Sequence, residues 1–165
     1  SLPKARGVYN AMDAKRTAAF LGVPFGRPQP DPVVFEADRP RPIKNQPYIH
    51  RLSRLGALAC DRGQGMAFIG AVAPMMWGGS VAGWDKGSHL ADAVATVGLD
   101  LADMDKEIAA RPDHYDALIA ENERRLAEVG HWGVPTLAVR GEAFFGQDRL
   151  DVLTWRLDQL CARRQ

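Results

Sequence analysis

The chain has 165 residues, 46 % of them apolar and 25 % charged, with 21 basic against 20 acidic side chains and a formal net charge of +1. That is the balance of an ordinary globular domain, long enough to bury a sizeable core as one unit. So even a charge gives no electrostatic footprint for nucleic acid or an anionic membrane, and no apolar run nears the roughly 20 residues that span a bilayer.

In chain order, Pro3 and Gly22 bracket a helix over residues 4–21, with Val8, Met12, Ala19 and Phe20 as its apolar stripe. Residues 23–47 carry Pro24, Pro28, Pro30, Pro32, Pro40, Pro42 and Pro47, which exclude regular helix and predict an extended crossing segment. Tyr48 to Trp77 reads as two helices broken near Gly63-Gln64-Gly65. The first faces inward through Leu52, Leu55, Leu58 and Ala59, the second through Met66, Ile69 and Ala73. A loop over 78–87 leads to a helix from Leu90 to Val97, and Asp100 is placed to cap another. Pro112 interrupts, and Tyr115, Leu118, Ile119, Leu126 and Val129 mark a longer helix ending at Gly130.

The last stretch is the most informative. Gly133-Val134-Pro135-Thr136 precedes two short runs, Leu137 to Val139 and Ala143 to Phe145, with a turn at Arg140-Gly141 between them. Gly146 follows, then a helix with Leu150, Leu153, Leu157 and Leu160 on one face, so the order is ββα. A proline at the head of a strand is tolerated where its missing N–H is not needed. That leaves the Val134 N–H and C=O free to pair with an extended, peptide-like ligand.

Two motifs in this stretch, Gly133-Val134-Pro135-Thr136 and Gly146-Gln147-Asp148-Arg149-Leu150, resemble the end of a DsbA-like thioredoxin domain. The similarity is to the branch of 2-hydroxychromene-2-carboxylate isomerases and kappa-class glutathione transferases, and it extends over nearly the whole chain. It implies an α/β, thioredoxin-like fold with a helical insertion. The thioredoxin-like parts are then 1–47 and 113–165, with the insertion at 48–112. It also implies an N-terminally incomplete domain, since the family's reactive serine or C-x-x-C lies on a front β-α-β unit that these residues do not match. No catalytic nucleophile is assigned in this chain.

The activity implied is a glutathione-dependent cis-trans isomerisation of an aromatic, conjugated keto acid. A kappa-type transferase, a DsbA-like thiol-disulfide oxidoreductase and a non-catalytic binding protein are the alternatives. Glutathione is the implied cofactor. Val134, before a cis Pro135, would pair with its cysteinyl unit. The helix start at Gln147 would meet the glutamyl carboxylate, and Asp148 the glutamyl ammonium.

Trp77, Trp84 and His131 are candidates for an aromatic-substrate pocket. Core packing competes for the tryptophans, and a role at the preceding helix end competes for His131. Cys60 and Cys161 form no C-x-x-C and read as reduced residues of a cytoplasmic protein. His50, His89 and His114 show no metal-ligand spacing, so no metal is expected. A two-stranded hairpin is marginal alone. Its open edge at 136–146 is therefore expected to be covered by a second copy in a homo-oligomer, by segment 23–47 or by a helix.

Overall fold

Prolines and glycines set the limits of most elements. The computed structural model describes residues 2–38 and 41–162, and its contacts divide the chain into two units, one running to Tyr115 and one from Asp116. In the first unit α1 spans Leu2–Leu21 and stops before Gly22. Its expected stripe is not buried: Val8, Met12 and Phe20 are 56 %, 53 % and 86 % exposed. The stripe is broken by Arg16 at the position where an apolar residue was needed, so α1 has no continuous apolar face to bury.

Among its described residues the proline-rich stretch contains no helix or strand, as read from the sequence. It is organised by a bridge, Phe35 to Pro42, and by the Gln46 amide. Gln46 Oε1 accepts from the Val34 N–H, and its Nε2 donates to the carbonyls of Val34 and Ile43, all at 2.8 Å. One side chain thus satisfies main-chain groups that a proline-broken ladder leaves open.

Helices α2 (Ile49–Asp61) and α3 (Gly65–Trp77) meet at the glycine break. After the loop come α4 (His89–Ala95), α5 (Leu101–Ala110) and the start of α6 (Pro112–Glu128). The Asp100 carboxylate accepts from the Asp103 N–H at 2.9 Å, the cap expected for α5. Pro112 opens α6, a position where its missing N–H costs nothing. The core of this unit is Leu55, Leu58 and Ala59 of α2 with Phe68, Val72 and Met76 of α3. Trp84, Leu90, Val94, Leu99, Met104, Ile108 and Tyr115 join them.

On α3 the inward face differs from the expected one. Met66 is 84 % and Ile69 56 % exposed, while Phe68, Val72 and Met76, four residues apart, are buried. The sequence of α3 is apolar on every side, so its periodicity does not select a face.

The second unit holds the remainder of α6, strands β1 (Thr136–Val139) and β2 (Glu142–Phe145), a 3₁₀ turn at Gln147–Arg149 and α7 (Leu150–Ala162). Arg140 and Gly141 both have positive φ, +50° and +82°, which matches the primed turn of a two-residue hairpin loop. The turn fixes the antiparallel register: Val139 with Glu142, Ala138 with Ala143, Leu137 with Phe144 and Thr136 with Phe145. Among the described residues each strand pairs only with the other. Helix α7 buries Leu153 and Leu160, and its Arg156 guanidinium donates to both Glu142 carboxylate oxygens, tying α7 to β2. No described helix is long and apolar enough to cross a membrane.

Candidate functional site

The hairpin register carries the site. Continued one pair beyond Thr136 and Phe145, it sets Pro135 opposite Gly146, and the Gly146 N–H donates to the Pro135 carbonyl at 2.9 Å. The proline turn and the start of the last helix are therefore held side by side. Val134, Pro135, Gln147 and Asp148, far enough apart in sequence to be unrelated, share one end of the hairpin.

The Val134–Pro135 peptide bond is cis. Val134 is 81 % exposed, and among the described residues no hydrogen bond uses its main-chain N–H or C=O. Gly146 has a φ of +98°, and a Cβ there would come within 2.5 Å of Asp148 Oδ1. Glycine at this position lets the Asp148 carboxylate lie back over the turn. That carboxylate is mostly exposed and 3.7 Å from the Arg149 guanidinium. An open cleft of about 400 Å³ is lined by Ala143, Phe144, Phe145, Asp148 and Arg149. The 3₁₀ entry to α7 leaves the first N–H groups of Gln147 and Asp148 without intrahelical partners, a site of positive partial charge.

On the other side of the turn His131 makes contacts of two kinds. Its main-chain N–H donates to the Leu126 carbonyl at 3.2 Å, ending α6. Its ring Nδ1 accepts from the Gly133 N–H at 2.9 Å. The imidazole is thus an acceptor toward the turn, not a donor to the helix carbonyls, so the helix-end role belongs to the backbone. The ring stacks on Phe145, with centroids 4.3 Å and planes 26° apart, and Trp132 packs edge-on to both. Phe145 was absent from the sequence reading of the site. The signal for it was present, since the register seats it beside Thr136 and it immediately precedes Gly146.

The two tryptophan candidates belong to the first unit and His131 to the second, so the three are not gathered within either unit. Trp84 is a core residue rather than a pocket wall. It is 2 % exposed, its indole N–H donates to the Pro30 carbonyl at 2.7 Å, and Tyr48 packs edge-on against it. A partner 54 residues away consumes its only polar atom. Trp77 is 40 % exposed and stacked on Phe25. Cys60 and Cys161 are free thiols on exposed helix faces.

A helix-rich α/β chain that closes on a ββα unit, with a cis proline before the first of the two strands, has the features of a thioredoxin-like domain. The family described as DSBA-like thioredoxin domain matches residues 2–158, and the chain belongs to it. Among solved structures it is similar to 2-hydroxychromene-2-carboxylate isomerase, with a TM-score of 0.65 and 24 % identity over 98 % of this chain and 70 % of that one. The two share a fold. None of the curated protein sequences matches the chain significantly.

Proposed function

We propose that the chain binds glutathione at the cis-proline end of its hairpin and serves a glutathione-dependent isomerase acting on an aromatic, conjugated keto acid. The observation that supports this most is the Gly146-to-Pro135 hydrogen bond, which sets an unpaired strand-like backbone beside a helix start. Glutathione needs both. Its cysteinyl unit pairs with the Val134 N–H and C=O as an added strand. Its glutamyl carboxylate takes N–H groups at Gln147, and its ammonium meets the Asp148 carboxylate.

The chemistry uses the tripeptide's own sulfur. Held by Val134, Gln147 and Asp148, the tripeptide would supply a thiol able to add reversibly to a conjugated double bond and so allow rotation about it. Fixing the tripeptide lowers the entropic barrier to the addition step.

Calorimetric titration with glutathione tests the reading. The parent chain binds, and Asp148→Ala loses about 1.5–3 kcal/mol of binding free energy, the scale of a charge-assisted hydrogen bond. Equal binding by both proteins removes Asp148 from the site, and no binding by the parent overturns the reading.

A further inference from the structure

The Val134 N–H that an added strand has to meet is aimed by the residue before it. Gly133 has both of its main-chain groups held inside the turn. Its N–H donates to His131 Nδ1 at 2.9 Å, and its carbonyl accepts from Thr136 Oγ1 at 2.6 Å. The Gly133 carbonyl and the Val134 N–H belong to one planar peptide unit, so the bond that holds the first sets the direction of the second. In a trans unit the two groups point opposite ways. The Val134 N–H therefore points away from the Thr136 hydroxyl, and Val134 itself is exposed.

His131 fixes the other plane of the glycine. A residue without a side chain has the widest choice of φ and ψ, and here a bond on each flanking peptide removes that choice. The imidazole is itself held, stacked on Phe145 with centroids 4.3 Å apart. Its Nδ1 also lies 3.4 Å from the Thr136 hydroxyl, so one nitrogen and one hydroxyl clasp Gly133 from both ends. An Nδ1 that accepts a main-chain N–H carries no proton. A ring needed only for its stack would require no nitrogen aimed at the turn.

We infer that His131 is a positioning residue for the glutathione strand: through the Gly133 N–H it holds the Val134 N–H in the direction that the ligand's backbone has to meet. The inference deepens the proposed function and rests on it for the identity of the ligand. The aim of the amide is a property of the free chain.

Two variants separate positioning from packing. His131→Phe keeps a ring for the stack and removes the acceptor. His131→Asn removes the ring and keeps an acceptor, because an asparagine side-chain oxygen reaches the N–H two residues on. In calorimetric titration with glutathione, His131→Phe is expected to bind about tenfold more weakly than the parent, the scale of ordering one residue's backbone at the moment of binding. His131→Asn is expected to recover most of that loss. Binding by His131→Asn no better than by His131→Phe, the order that a role in packing alone gives, overturns the inference.

The residual dipolar coupling of the Val134 N–H, measured without ligand, keeps the two readings apart. It is expected to report one fixed direction in the parent and in His131→Asn, and to average toward zero in His131→Phe. If the parent binds no glutathione, the glutathione reading falls alone and this coupling still decides the aim. Binding by the parent with an unchanged coupling in His131→Phe sinks the positioning role alone. If His131→Phe does not fold, the parent decides. A scalar coupling across the hydrogen bond, between the Gly133 ¹⁵N and His131 Nδ1, that persists with glutathione bound sustains the inference, and its absence overturns it.

Discussion

Gly133→Ala is the sharpest structural perturbation of the site. A Cβ at Gly133 would lie 2.6 Å from Phe145 Cε2, 3.0 Å from its Cζ and 3.1 Å from His131 Cε1. The Phe145 ring cannot retreat without leaving its stack on His131, whose centroid is 4.3 Å away. Overpacking of this kind costs about 1–3 kcal/mol. An opposing term exists, because Gly133 does not have a positive φ and alanine there stiffens the unfolded chain by about 0.4–1 kcal/mol. The clash wins, and we expect a net loss of about 1–2 kcal/mol.

With two units, denaturation of the whole chain does not isolate this effect. Native-state exchange of the Gly146 amide does, because that N–H closes the hairpin onto Pro135. In a Phe145→Leu background the clash is relieved, and Gly133→Ala becomes neutral or slightly protective. Equal loss of protection in both backgrounds would refute the clash argument.

Asp100→Ala removes the α5 cap and is expected to destabilise the first unit by about 1 kcal/mol, read as faster exchange of the Asp103 and Met104 amides. Unchanged exchange would show that water replaces the carboxylate at no cost. Glu121 accepts from Arg124 first and Arg125 second, which holds its carboxyl at about 2 instead of 4.5. A depressed acid contributes stability above its unfolded value, so this contribution is complete above pH 4.5 and lost as the pH falls toward 2. A ¹³C titration of the Glu121 carboxyl in the parent and in Arg124→Gln/Arg125→Gln checks it, with the double variant returning to the ordinary range. Titration of the parent near 4.5 would refute the pairing.

Local signals were legible in the sequence and long-range ones were not. The Asp100 cap, the break at residues 63–65 and Pro112 at the head of α6 each depend on chemistry within a few residues. The closeness of Pro135 and Asp148 was also readable, because a two-residue turn at Arg140-Gly141 fixes every pair counted outward from it. The inward face of α3 was hidden by a segment apolar all round, where only the neighbouring α2 and α4 choose which residues are buried. For Trp84 both a core and a pocket role stood open for a related reason: the Pro30 carbonyl that its indole meets is invisible to any local window. The stack of His131 on Phe145 needs both the register and the path of the Gly133 loop, and only the first of these was available.

The central claim is that the cis-proline turn and the last helix start form one glutathione site. Amide shifts of the ¹⁵N-labelled chain during titration with glutathione test it most directly. The account predicts that Val134, Gln147 and Asp148 move together along one saturation curve, with the first unit's core amides unmoved. Saturating shifts confined to other residues, or none at these three, would contradict it.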